Sequence, residues 1–181
     1  MEVKTRAQGF SLIEVLIALA VISIGALGFT RAQIVAIQNA EDSALRTLAA
    51  MFVQDMVARM QANAGETWQG LTSGYQTGPA TYNVNCLSTG GAICTGNQMA
   101  KHDLWDWNQR ITAAFPAWAS PIASVCLDST PGSTLQTCSP PGTTPYPLQF
   151  TIKIFWKSFA NRNAGTQDQY VITTVTPPLQ R

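Results

Sequence analysis

The chain has 181 residues, a length sufficient for one domain together with an appendage. Its 11 lysines and arginines nearly balance its 10 aspartates and glutamates, which argues against nucleic-acid binding as the main function, because phosphate recognition needs a basic excess. Charged residues make up only 12% of the chain, against about 25% in a typical soluble domain. An apolar N-terminal run and a C-terminal region rich in uncharged polar residues and proline account for this low value.

The N-terminal part of the sequence predicts a membrane-spanning helix. A short polar leader, residues 1–9, carries Lys4 and Arg6, and residues 10–29 contain a single charged side chain, Glu14. Twenty residues of helix are roughly 30 Å long, which matches the apolar core of a bilayer. The basic leader is expected to stay on the cytoplasmic side while the rest of the chain crosses the membrane.

The same helix is predicted to continue well beyond the apolar run. The segment from Arg31 to about Ala62 contains no proline or glycine, and Gly65 is expected to end the helix in a left-handed cap. Apolar side chains recur there at helical spacing and indicate one buried stripe: Ile34, Ile37, Leu45, Leu48, Phe52, Met56 and Met60. A helix of about 80 Å is too long for one globular core, so lipid or other chains must cover its first half.

The second half of the chain predicts a small domain of mixed structure. Two runs alternate as β-strands do, residues 80–86 and 150–156, and residues 169–175 form a third β-rich run. The polar segment 157–168 suits a hairpin loop between the last two runs. Residues 99–115 predict a helix that ends before a proline, and residues 127–149 predict a loop. We therefore expect an α+β fold in which the long N-terminal helix packs against a small antiparallel sheet with disulfide-stapled loops.

Four cysteines lie in loop-like sequence behind the apolar run: Cys86, Cys94, Cys126 and Cys138. An even count in this context indicates disulfides formed in an oxidising compartment. A zinc site is the weaker alternative, because the spacing contains no C-x2-C pair. Four cysteines allow three pairings; Cys86–Cys94 and Cys126–Cys138 are favoured, since each closes a short loop that contains glycine or proline.

The stretch GFSLIEVL at residues 9–16 resembles a known processing signal. A basic leader, a glycine, a phenylalanine, three uncharged residues, a glutamate and then an apolar helix occur in this order in type IV pilins and in the related pseudopilins of type II secretion. The four cysteines and the SIGALG stretch are most similar to the minor pilin group called type IV pilus modification proteins, PilV. The resemblance covers residues 1–30 in detail. Over the rest of the long helix it is limited to the general pattern of the sequence.

This resemblance assigns roles to three residues. It implies that prepilin peptidase cuts between Gly9 and Phe10 and that Phe10 becomes an N-methylated amino terminus. It implies that Glu14 takes part in assembly by pairing with the terminal ammonium of an adjacent subunit. A carboxylate at bilayer depth costs a few kcal/mol, and a positive partner makes such a buried charge tolerable.

The resemblance also implies a structural protein with no cofactor and no small-molecule substrate. It would be a minor pilin in type IV pilus assembly, priming or a tip complex, and so act in twitching motility, adhesion or DNA uptake. Its partners would be other minor pilins, the major pilin and a tip adhesin. It would lie in the inner membrane before assembly and in the pilus afterwards. A minor pseudopilin and a membrane-anchored periplasmic enzyme or binding protein are the alternatives.

The implied organisation has four parts: leader 1–9, transmembrane and assembly part 10–30, amphipathic helix 31–65 and globular periplasmic domain 66–181. Within the last part, His102 and Asp106 are spaced for one face of a helix, with Asp103 beside them. We favour a solvated helix face over a metal or acid–base site for these residues. We interpret three tryptophans as anchors of a small core: Trp105, Trp107 and Trp118.

Overall fold

The computed structural model describes residues 11–76, 80–86, 94–130, 132–138 and 149–176. Within these ranges, helices combine with one three-stranded antiparallel sheet, and the expected α+β class is confirmed. The chain divides into two compact units that meet within the long N-terminal helix, after Ala40.

The long helix, α1, runs over Leu12–Ala62 and ends where the sequence predicts. The expected left-handed cap at Gly65 is wrong, because Gly65 lies inside a second short helix, α2, over Ala64–Thr67. Thr67 replaces the cap: its hydroxyl donates to the Met60 carbonyl at 2.8 Å and its backbone N–H donates to the Asn63 carbonyl at 3.2 Å. The last carbonyls of α1 therefore find partners without a glycine.

The buried stripe of α1 is shorter than predicted. It lies within the second unit and consists of Leu45, Ala49, Phe52, Val53, Met56 and Met60, with Leu48 partly buried beside it. Ile34 and Ile37, which were expected to extend it, are both more than half exposed. They belong to the first unit, and their apolar surface is available to another molecule.

The helix α3 spans Gly96–Ala114, three residues earlier at its start than predicted. Thr95 and Gln98 form a capping box: the Thr95 hydroxyl accepts from the Gln98 N–H, and the Gln98 side chain accepts from the Thr95 N–H. The helix ends because Phe115 is extended ahead of Pro116, as the residue before a proline usually is. Its buried face repeats at helical spacing: Ala100, Leu104, Trp107 and Ile111.

The sheet has the order β1-β2-β3 and is antiparallel throughout. The strands are β1 over Ile122–Leu127, β2 over Phe150–Trp156 and β3 over Gln169–Val175. The two later strands and their hairpin loop are the predicted ones, whereas β1 was not predicted. The central strand β2 is buried on both faces, with alternate residues such as Ile152 and Ile154 in the main core.

The predicted strand at residues 80–86 is wrong. These residues form an irregular segment followed by a 3-10 turn over Val84–Cys86. Asn83 explains the difference, because its side chain accepts from the Asn85 N–H at 3.0 Å and its carbonyl accepts from the Cys86 N–H at 3.1 Å. Such local hydrogen bonds compete with a strand ladder.

Candidate functional site

The candidate assembly site lies in the first turn of α1. The Ser11 carbonyl accepts from the N–H groups of Glu14 at 3.0 Å and of Val15 at 3.4 Å, so the helix is established at this point. A carboxylate in a first turn is favoured by the positive end of the helix dipole. Gly9 and Phe10, the expected cleavage and methylation positions, lie outside the described residues.

Glu14 is an exposed charge in apolar surroundings. Its neighbours Ile13 and Val15 are exposed as well, at 65% and 44% of their surface. Among the described residues, Glu14 forms no ion pair. The arrangement suits a carboxylate whose cationic partner belongs to another molecule.

The apolar surface continues along α1 from Leu12 to Phe29 and is exposed throughout. The hydroxyl groups of Ser23 and of Thr30, which follows this surface, are satisfied within the helix: Ser23 donates to the Leu19 carbonyl at 2.7 Å and Thr30 donates to the Ala26 carbonyl at 2.9 Å. By length and composition, this helix is a candidate membrane span. The segment can therefore be buried in lipid or among other apolar helices without losing a hydrogen bond.

Within the second unit, Arg59 joins α1 to α3 through three carboxylates. Its guanidinium lies 2.7 Å from Asp106, 3.1 Å from Asp103 and 3.2 Å from Asp55. Burial opposes the guanidinium charge, but the bond to Asp106 and the charges of all three carboxylates raise the pKa of Arg59. Arg110 extends the network with a 3.0 Å contact to Asp55.

Asp103 is the most buried carboxylate of this network. Burial raises the pKa of Asp103, while the Arg59 charge and the hydrogen bond from Tyr75 act in the opposite direction. The Tyr75 hydroxyl donates to Asp103 at 3.2 Å, and its own burial raises the pKa of Tyr75. Asp103 is thus fully engaged by an arginine and a tyrosine, and this arrangement holds two helices together rather than presenting a reactive group.

The structure separates His102 from Asp106. His102 is buried, its Nδ1 accepts from the Asn83 N–H at 3.2 Å, and its ring packs near Tyr82 and Trp105. Asp106 instead binds Arg59. The interpretation of a solvated helix face is wrong for His102, and the described residues contain no group of three side chains suited to a metal ion.

The three tryptophans have different neighbours. Trp107 is fully buried, and its indole N–H donates to the Phe52 carbonyl at 2.9 Å, which links α3 to α1. Trp118 packs edge-on against Phe159, and Trp105 contacts Tyr82. The core role predicted for the tryptophans is confirmed for Trp107 and for Trp118, which is partly buried and packs against the core, whereas Trp105 is partly buried outside this cluster.

Glu66 is a buried charged group that the sequence analysis missed. Its carboxylate accepts from the Gly74 N–H at 2.5 Å, from Asn97 at 2.8 Å and from Gln69 at 3.1 Å. Gly74 approaches α3 so closely that an added Cβ would lie 2.6 Å from the Asn97 carbonyl oxygen. Glu66 therefore fixes the turn after α2 against the first turn of α3.

A second missed group is the buried ion pair between Lys153 of β2 and Asp128, which directly follows β1. Lys153 Nζ also lies 3.2 Å from the Leu135 carbonyl oxygen, inside the segment closed by a disulfide between Cys126 and Cys138. The other disulfide joins Cys86 and Cys94; both are the pairs that the sequence favoured. A lysine at the centre of a predicted strand could have indicated a buried cation, but the sequence did not indicate that Asp128 is its partner.

Comparison with protein families gives two matches. A model described as the prokaryotic N-terminal methylation motif matches residues 4–30, which include Glu14 and the apolar start of α1. A model described as type IV pilin Tt1218 matches residues 32–105, which run from α1 into α3. Neither the curated proteins nor the solved structures give a match. The two matches together confirm the predicted family, and the chain belongs to the type IV pilins, which act in a pilus or a pseudopilus.

Proposed function

We propose that this pilin is a minor subunit of a type IV pilus, with a place in assembly, priming or the tip complex. The family is structural, and its members assemble with other pilins after processing by prepilin peptidase. The observation that carries the assembly role is the exposed Glu14 at the start of an apolar helix, four residues after the phenylalanine of the processing motif and without an ion pair among the described residues.

The proposed assembly step begins at Gly9. Cleavage after Gly9 exposes the amine of Phe10, which is then methylated and keeps its positive charge. The Glu14 carboxylate of one subunit binds the ammonium of a neighbour as both leave lipid for a bundle of helices. Pairing compensates the cost of burying each charge and fixes the axial register of the two subunits.

We also propose how the chain is divided. Residues 10–30 hold the subunit in the inner membrane before assembly, and residues 31–65 continue the helix into the periplasm. Residues 66–181 form most of the domain that contacts neighbouring subunits or a tip adhesin. The buried stripe that begins at Leu45 and the exposed Ile34 and Ile37 support a boundary within the helix, with apolar surface left over for other subunits.

Intact mass spectrometry of the chain purified from its native host tests this proposal. The expected mature chain lacks residues 1–9 and carries one additional methyl group on Phe10. A chain that keeps residues 1–9 contradicts both a pilin and a pseudopilin role and favours a membrane-anchored protein of another kind.

A deletion strain then separates the pilus from the pseudopilus. Loss of twitching motility with normal protein export is the result expected from a minor pilin. Loss of export through type II secretion with normal twitching would instead assign the chain to a pseudopilus. The N-terminal chemistry is the same in both cases, so the phenotype must decide.

A further inference from the structure

The strand β3 has an open edge. All seven of its residues pair with β2, from Gln169 opposite Trp156 to Val175 opposite Phe150, without a bulge. In an antiparallel pair, alternate residues turn their N–H and C=O groups away from the partner strand. Within the described ranges, the backbone of residues 170–176 has no hydrogen bond other than those to β2.

The opposite edge of the sheet differs from this one. There, the side-chain oxygen of Gln76 accepts from the Leu127 N–H of β1 at 2.7 Å. A side chain from elsewhere in the unit thus satisfies a donor of β1. The described part of the chain provides no comparable group for the outward donors of β3.

An open groove of about 980 Å³ follows the β3 edge. Residues 168–174 form one wall, and Arg46, Gly132 and Gln149 contribute to the others. Arg46 and Asp168 carry opposite charges, and the other described residues that line the groove are uncharged. The groove therefore suits an extended, uncharged segment that offers backbone hydrogen bonds.

The sequence of β3 gives this edge no protection against pairing. Residues 169–175, QYVITTV, contain no charge and no proline and include five β-branched residues. Natural edge strands usually carry lysine, proline or a bulge, because a regular apolar edge recruits other strands. An unprotected edge of seven residues is expected to be covered in the working assembly.

Two further segments of this chain are poor candidates for the covering strand. Residues 139–148 contain four prolines, which lack the N–H that a ladder requires. Residues 177 and 178 are also prolines, so a ladder could not continue through them. Because neither proline-containing segment suits a regular ladder, we look to another chain for the covering strand.

We propose that an extended strand of another pilin subunit adds to the edge of β3 and continues the sheet. This inference rests on the proposed function for the identity of the partner. The added strand is uncharged over about five to seven residues, as the groove and the length of β3 require. Its side chains contact the exposed Tyr170 and Thr174 on one face of the extended sheet.

The test places a photo-crosslinking amino acid at Tyr170 of the full chain in its native host. Illumination of sheared filaments is expected to give one main crosslink, which peptide mapping locates in a strand-forming segment of a different pilin. Thr174→Lys puts a charge on the exposed edge and is expected to abolish the crosslink. Thr112→Lys, on the exposed surface of α3, is the matched control and should leave the crosslink intact.

Hydrogen–deuterium exchange gives an independent readout. Outward amides of residues 170–175 should exchange rapidly in the isolated chain and slowly in the filament. A filament chain with rapid exchange there, or crosslinks confined to residues 139–148 or to a second copy, would overturn the inference. With any of these results, a chain that is cleaved after Gly9 and enters filaments would still support the proposed function. Failure of the strand-addition inference can therefore be distinguished from failure of the proposed function.

Discussion

Lys153 Nζ and Asp128 Oδ2 lie 2.5 Å apart, and both side chains are completely buried. The lysine comes from the middle of the central strand β2, and the aspartate directly follows β1. Nζ is surrounded further by the carbonyl oxygens of Leu135 at 3.2 Å and of Ser133 and Thr137 at 3.5 Å. One ammonium group thus holds the disulfide-closed segment against the second face of the sheet.

Removing the cation of this pair should destabilise the second unit strongly. Lys153→Met leaves the Asp128 carboxylate buried without its counter-charge, and we expect the free energy of unfolding to fall by about 3 kcal/mol. Urea unfolding of the full chain in detergent, followed by tryptophan fluorescence, measures the change. Lys157→Met, one residue beyond β2, is the matched control and should stay within about 0.5 kcal/mol of wild type.

The double variant Lys153→Met with Asp128→Asn should recover part of this loss, because no unpaired charge remains buried. Asparagine keeps an oxygen that can accept from Thr130, as Asp128 does at 2.9 Å. Equal stability of the single and double variants would show that the ion pair is not the source of the effect.

Loss of Arg59 should destabilise the contact between α1 and α3 in a pH-dependent way. Arg59→Met leaves Asp103 buried without its cation, and we expect a loss of about 2 kcal/mol at pH 7.5, since the pair is partly exposed. Burial already raises the pKa of Asp103 in the folded state, and the substitution raises it further. The free-energy penalty of ionising the buried Asp103 grows as pH rises through its pKa. The loss of stability caused by Arg59→Met should therefore be smaller at pH 4 than at pH 7.5.

Unfolding midpoints at both pH values check this prediction. Arg110→Met is the control, because that side chain is about half exposed and should contribute between about 0 and 1 kcal/mol. A loss after Arg59→Met that is the same at pH 4 and pH 7.5 would contradict the role assigned to Asp103.

Asp168 should stabilise the hairpin loop above pH 4 and lose this effect as the solution becomes more acidic. Partial burial of the carboxylate tends to raise the pKa of Asp168. Hydrogen bonds from Ser158 and Asn161 outweigh this effect and lower the pKa to about 2. The carboxylate therefore binds a proton more weakly in the folded state, and its contribution disappears as pH falls from about 4 to about 2. The contribution is no more than about 1 kcal/mol, because the side chain is exposed.

Asp168→Asn should accordingly lower the unfolding midpoint at pH 6 and have a much smaller effect at pH 2, where about half of the folded-state carboxylates are protonated. Glu41→Gln, an exposed carboxylate of α1, serves as the control and should follow wild type at both pH values. A constant difference between wild type and Asp168→Asn over this range would rule out the proposed titration.

Glu14→Ala should leave processing intact and impair assembly. The cleavage position precedes this residue, whereas the loss of a buried charge partner should lower incorporation into filaments at least about tenfold, equivalent to about 1.4 kcal/mol. Immunoblots of sheared filaments against membrane fractions measure the ratio. Glu41→Gln, on the same helix, is expected to assemble normally, and normal assembly of Glu14→Ala would refute the pairing with a neighbour's ammonium.

The parts of the fold that sequence predicts well are those with a long, regular pattern. Absence of glycine and proline through Ala62 located the end of α1, and alternation over Phe150–Trp156 located β2. The N-terminal motif was also predicted from sequence, and the methylation-motif model matches it over residues 4–30. In each case, the residues that indicate the feature lie within a few turns of helix or within one strand.

The missed features depend on partners far away in the chain. The strand β1 is short and has no clear alternation, and more than twenty residues of sequence separate it from β2, with which it pairs. Asp128 and Lys153 are 25 positions apart, and neither residue type indicates the other. At residues 80–86 the error was local instead, because the hydrogen bonds of Asn83 prevailed over an alternating pattern.

The position of the two disulfides has a consequence for how β3 is held. All four cysteines precede β2, so only the peptide chain through the 157–168 loop attaches β3 covalently to the rest of the domain. Arg162 is exposed in this loop, and a trypsin-like protease has access to the bond after it. A single nick there would leave β3 attached by noncovalent contacts, among them its ladder to β2, the hydrogen bond from Arg46 to Gln169 and the packing of Val171 and Val175.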